Sequence, residues 1–481
     1  ELSLSNSFSV PNQKTMTVSG ENGTLALGGT VTFNSQSQFI LNSNETEVSG
    51  VFDFTNENTL DAQQSVNFKS SSSKWKNSQI KVTEGATLEF TDNQWQTQGT
   101  LTKTGGSMSL NNVVWRLSDD TSYSSNTEIE TKTLLLNNNL LTLGTAGSDI
   151  SVKDNMTFEN SSEQINTGLA DLSLEGGLIL EEGKITSTGG IVYLEKGGKQ
   201  SGGILDISDS TLKLGESFTK TAGTLTTTDD GTILELMKNL TVSSDSSINF
   251  YQVALNNNTL TLGSESTDLQ VSSALTLDNI NERVMTGAAD LSLLAFQDIS
   301  IGGVTSTGGT ISLLAGGQLS GTGKLDVSGS TWTLGGVFVK SSGTLTISQT
   351  NLALSGNITL TSDEALSFVT LNLNDFTLTL GSSTSDLTVQ NAITLDTSTE
   401  GISTGEADLI LNSALTMNNG LLDSTGGTWE FNGDFNKTSG TLSITETDLT
   451  LTNNITLTSD VALSFVTLNL NYKTLTLGSA T

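Results

Sequence analysis

Residues 310–330 read Thr-Ile-Ser-Leu-Leu-Ala-Gly-Gly-Gln-Leu-Ser-Gly-Thr-Gly-Lys-Leu-Asp-Val-Ser-Gly-Ser, a block that a later part of the same chain lacks. Aligning Thr331 to Gly343 with Thr428 to Gly440 removes this block and lets the pattern resume in frame. A chain that omits such a block without losing its register is built from units of that size. The spacing therefore predicts one coil of a solenoid over 310–330.

Longer repeats carry the same unit. Leu-Thr-Leu-Gly stands at Leu141–Gly144, Leu260–Gly263, Leu378–Gly381 and Leu475–Gly478, with a weaker Leu-Ala-Leu-Gly at Leu25–Gly28. Its glycines are separated by 116, 119, 118 and 97 positions, and 119 is close to six coils. Thr-Gly-x-Ala-Asp-Leu, or a near variant, recurs at Thr167–Leu172, Thr286–Leu291 and Thr404–Leu409. Residues 358–374 and 455–471 match at 16 of 17 positions, differing only where Glu364 becomes Val461. The repeats divide the chain into a less regular region at 1–132, solenoid repeats at 133–252 and 253–370, a repeat lacking one coil at 371–467, and the start of a further one at 468–481.

Within each coil, apolar residues alternate with small polar ones, as in Asp149-Ile-Ser-Val, Asp171-Leu-Ser-Leu and Asp268-Leu-Gln-Val. That period of two marks half-buried strands. Gly189-Gly190, Gly308-Gly309 and Gly426-Gly427 read as bends, and no amphipathic helix stands out. The expected fold is all-β: a single elongated, right-handed parallel β-helix (β-solenoid) with coils of about 20 to 21 residues. About 24 such coils at about 4.8 Å each would span about 115 Å. The single proline, Pro11, falls near one end, where a missing amide donor is tolerated.

Composition limits the chemistry. The 481 residues include 51 Asp plus Glu against 20 Lys plus Arg, a net charge of −31, with no Cys and no His. Disulfides, thiolate or imidazole metal sites and His-based catalysis are excluded. Nucleic acid and anionic lipid are expected to be repelled, and no apolar run is long enough to span a membrane. The chain starts at Glu1 rather than at a methionine, which is read as a processed chain or a fragment.

Gly308–Gly323, reading Gly-Gly-Thr-Ile-Ser-Leu-Leu-Ala-Gly-Gly-Gln-Leu-Ser-Gly-Thr-Gly, resembles the repeats of filamentous-haemagglutinin-type and autotransporter adhesins of bacteria. The resemblance extends in style over most of 133–481. It implies a secreted, right-handed β-helix serving as a stalk or adhesive fibre at the cell surface. Because a solenoid end is an open sheet edge, self-association into fibres or continuation into a longer chain is expected, and surface glycans are candidate partners.

The acid pairs Asp119-Asp120, Asp229-Asp230 and Glu181-Glu182 are the only general acid–base apparatus, yet neighbours on a strand face opposite ways and acids in turns are ordinary solvation. Asp149 with Asp171, Asp268 with Asp290, and Asp386 with Asp408 stand one coil apart, where they could bridge calcium or cap turns; capping is the expectation. Trp75, Trp95 and Trp115, evenly spaced at the length of one coil, predict a buried vertical ladder, with an exposed sugar-binding strip as the alternative. They share their region with basic Lys69, Lys74 and Lys76. Thr-x-Thr triplets such as Thr259/Thr261 and Thr377/Thr379 read as ordinary strand-face residues rather than an ice-binding array. Asn256–Asn258 reads as a stack at a bend, and the Asn-x-Ser/Thr sequons, from Asn22 to Asn454, matter only where a source glycosylates. The reading is a non-enzymatic structural protein, extracellular or on the cell surface, with no catalytic, cofactor or metal site. A carbohydrate-binding or carbohydrate-active β-helix protein is the alternative.

Overall fold

The computed structural model describes residues 2–21, 24–44, 46–91, 94–457 and 465–477. They hold strands, turns and bends but no helix, so none crosses a membrane as a helix. Parallel strand pairs join each strand to its counterpart one coil later, giving a β-solenoid of about 22 turns with coils about 21 residues apart. Contacts divide the chain into two compact units, 1–237 and 238–481.

The block 310–330 is one coil. Thr310 sits beside Thr331, the first residue after the block, and Leu313 sits beside Leu334. The coil holds three short strands, Thr310–Leu313, Gly317–Leu319 and Lys324–Asp326. Three strands alternate with three corners in the neighbouring coils as well. The turns are fewer than the sequence spacing suggests because some coils are longer. Leu140 pairs with Gln164, Thr259 with Arg283 and Thr377 with Gly401, each three positions further on than the step seen at Thr310. The extra residues form a loop that ends on Glu163, Glu282 or Glu400. In each, a carboxylate oxygen accepts the amides of the residues three and four positions before it, at 2.6–3.3 Å.

In the unit 238–481 the core is a set of largely aliphatic ladders. Leu269, Leu291, Ile311, Trp332, Leu352 and Leu371 stand over one another in six successive coils. All are buried, and a fully buried Leu or Ile contributes about 1.5–3 kcal/mol. In the unit 1–237 an equivalent ladder runs Ile150, Leu172, Val192, Leu212 and Leu234. Its N-terminal part is packed instead with rings: Phe33 stacks on Phe54 at 4.8 Å, and Phe54 on Trp75 at 3.9 Å between centroids.

The three tryptophans are all buried, and no exposed aromatic strip forms from them. Trp95 lies against Trp115 at 4.9 Å, as their spacing predicts. Trp75 does not lie over Trp95. The register there sets Trp75 beside Thr97 and Ser73 beside Trp95. Phe90 fills the offset, at 6.3 Å from Trp75 and 6.1 Å from Trp95.

Candidate functional site

The two landmark motifs are corners seen in cross-section. In Thr-Gly-x-Ala-Asp-Leu the Thr and Ala are buried, and the Ala amide donates to the Thr carbonyl at 2.9–3.0 Å, closing the turn. Gly168, Gly287 and Gly405 hold the turn at φ of 56–60°, a left-handed conformation that glycine adopts without steric cost. In Leu-Thr-Leu-Gly the glycine passes over a hydroxyl of the preceding coil. A Cβ at Gly144, Gly263 or Gly381 would meet the Ser124, Ser243 or Thr361 oxygen at 2.0–2.2 Å.

The aspartates form a ladder of caps. Asp149 Oδ1 accepts the amide of Asp171 at 2.8 Å, and Asp171 Oδ1 accepts that of Ile191 at 2.7 Å. The later repeats do the same: Asp268 takes the amide of Asp290, Asp290 that of Thr310, Asp386 that of Asp408 and Asp408 that of Thr428, all at 2.6–2.9 Å. Each carboxylate thus satisfies the strand-entry amide one coil on. Replacing Asp290 by alanine is expected to cost about 1–2 kcal/mol in chemical denaturation, whereas Asp290→Asn, which keeps the acceptor, should cost less than half as much. An equal cost would show that charge, not acceptance, matters.

Burial, helped by nearby acids, raises the proton affinity of two carboxyls here. Burial holds the Asp149 carboxyl above the ordinary carboxylate range, and the Asp171 charge adds to it, while the Asp171 amide acts the other way. Burial also raises Glu128, followed by the charge of Asp149. Among the described residues no group of three or more carboxylates is arranged to hold a metal ion. A chelator is therefore expected to leave the melting temperature unchanged, and a clear fall would restore calcium as a bridge between coils.

The acid pairs named from sequence are spent or exposed. Asp120 Oδ1 accepts the Leu140 amide at 2.9 Å, and Asn239, Asn357 and Asn454 take the amides of Thr259, Thr377 and Thr474 in the same way. Glu181, Glu182, Asp229 and Asp230 lie at turns and are all exposed there. Asn256 and Asn257 adopt left-handed φ of 50° and 65° at a bend. Other amides stack along an edge: Asn412 donates to Gln390 at 2.8 Å and Asn432 to Asn412 at 2.9 Å. Thr259, Thr261, Thr377 and Thr379 are half-buried, and Lys69 pairs with Glu47 at 2.6 Å. Asn22, Val461 and Gly478 lie outside the described residues.

Sequence reasoning missed a set of buried lysines. Phe-x-Lys-Ser/Thr-x-Gly-Thr-Leu recurs at Phe218, Phe338 and Phe435, and Lys220, Lys340 and Lys437 are 3–6% exposed. Lys340 binds Asp363, one coil on, and Glu364 at 3.2 Å. Burial pulls the Lys340 ammonium down, but the hydrogen bonds to the two carboxylates outweigh it and hold it above its ordinary value. The same contact holds Asp363 below the usual range. A depressed carboxyl contributes stability above its unfolded pKa of about 4 and loses it as pH falls through the folded value. Asp363→Asn should therefore flatten the acid limb of the melting-temperature profile below about pH 4; an unchanged limb would remove the pair from acid stability. Lys103, also buried, donates instead to neutral oxygens. Its ammonium bonds the carbonyls of Gly105 and Gly106, Asn126 at 3.1 Å and Thr127 at 2.6 Å, and burial lowers it to about 8.

A surface groove of about 450 Å³ is lined by uncharged Ser348, Gln349, Ser367 and Gln390 above Phe368. It offers hydrogen bonds but no acid, base or nucleophile pair. Compared with known protein families, curated proteins and solved structures, the chain matches none of them.

Proposed function

We propose that this chain is a non-catalytic, secreted structural protein whose stacked coils act as a surface filament, stalk or adhesin. The observation that carries the reading is the use made of the repeated polar residues. Aspartates, asparagines and the buried Lys103 and Lys340 join one coil to the next, which is what a structure that must resist bending needs. The parallel ladders and the abundant acids suit a stiff, well-solvated element outside the cell.

Two measurements test the reading. Antibody against the chain is expected to label intact, unpermeabilised cells of the source, and a signal confined to permeabilised cells would overturn it. Incubation with neutral and acidic polysaccharides is expected to yield no new reducing ends or unsaturated products. Turnover there would support a carbohydrate-active protein instead.

A further inference from the structure

One corner of the unit 238–481 differs in kind from its counterpart in the unit 1–237. The corner residues of five successive coils are 272–274, 294–296, 314–316, 335–337 and 355–357, and none of them carries a charge. Their stacking is direct: the amides of Leu314, Gly335 and Ser355 each donate to a carbonyl of the coil before, at 2.8–3.0 Å. Phe296, Leu314 and Val337 point outward, 48%, 38% and 49% exposed. At the first four matching corners of the other unit stand Lys153 and Asp154, Glu175, Glu195 and Lys196, and Glu216, and at the fifth an exposed Met237 stands beside Lys238. The fold does not ask for apolar residues at this corner, since charged ones serve equally well there.

We propose that this uncharged corner is a side-by-side contact between two copies of the chain. An apolar patch is complementary to itself and needs no matched charge on a partner. The charge of −31 makes most approaches between copies repulsive, and this is a stretch where overlap sets no acid on an acid. Asp298, exposed two positions beyond Phe296, marks its acidic rim. The area sets the strength. Five coils at about 4.8 Å by three residues cover about 200 Å² on each copy, against about 800 Å² per partner in a standard stable interface. The contact is accordingly weak, favoured at high local concentration, and strengthened by salt because salt screens the rim.

Sedimentation velocity over a range of protein concentration, and from low salt to about 1 M sodium chloride, tests this. The native chain is expected to show reversible dimer that increases with both. Phe296→Glu with Val337→Glu should lower the association constant about tenfold or more, the equivalent of losing one buried apolar side chain. Both residues face outward, so circular dichroism and melting should stay native, and Val337→Glu alone should show an intermediate loss. Ser217→Glu, at the matching corner of the other unit, should associate as the native chain does. Native protein that stays monomeric throughout, or a double variant that dimerises normally, overturns the proposal. So does association that survives the double variant as open-ended oligomers. Loss of binding to neutral phosphatidylcholine vesicles without change in self-association would assign the corner to a lipid surface and likewise overturn it.

Discussion

Trp95→Ala is expected to lower stability by about 3–5 kcal/mol, among the largest effects of any single substitution in the unit 1–237. The ring is fully buried and touches Phe90 on one side and Trp115 on the other, so its removal opens a cavity in the middle of a continuous stack. The narrow core of a solenoid has no second layer from which to refill the space. Trp95→Phe should cost much less, because the indole Nε1 has no hydrogen-bond partner and its loss orphans nothing. Denaturant titration followed by tryptophan fluorescence and circular dichroism measures both. A cost for Trp95→Phe equal to that for Trp95→Ala would mean that the indole nitrogen matters and that the stack is not held by packing alone. Because repeats can unfold in parts, the midpoint of this region, not one global free energy, is the quantity to compare.

Gly309→Ala is expected to be nearly as damaging, at about 2–4 kcal/mol, although it adds one methyl group. A Cβ at Gly309 would sit 2.1 Å from the carbonyl oxygen of Ala289 and 2.6 Å from its carbon, and that backbone is itself fixed by the buried corner of Thr286 and Ala289. Neither coil can yield without parting the ladder on both sides. The neighbouring Gly308 is a built-in control, since its nearest contact would be the Ala288 Cβ at 3.7 Å. Gly308→Ala should leave the melting temperature within about a degree or two of native, as surface changes without a clash usually do. Equal losses at both positions would show that backbone conformation, not close approach, explains the glycine pair.

Much of this architecture was legible in the sequence, for a definite reason. Alternation along a strand fixes which side chains face inward, and a block that vanishes in frame fixes the coil, so 310–330 could be placed before any coordinates. The caps at Asp149, Asp268 and Asp386 followed from the same register. What escaped depended on corner length. Trp75 and Trp95 are spaced like one short coil, but the coil between them is longer and carries Trp75 past Trp95 to Thr97. Strand pattern says nothing about how many residues a corner takes up. The long coils closed by Glu163, Glu282 and Glu400 were missed for that reason too. The buried lysines escaped because their charge argues for exposure; only the recurrence of the Phe-x-Lys pattern marks them. The uncharged corner is visible as sequence, but that its five parts stack requires the register.

The coil at 310–330 presents to its neighbours above and below the same pattern of donors, acceptors and ladder side chains that they present to each other. Taking it out, as the repeat at 371–467 has done, therefore joins surfaces that already fit. At the level of the gene, an in-frame loss or gain of one such coil leaves a foldable product. The fold can therefore change its length by one coil while every strand on either side keeps its register.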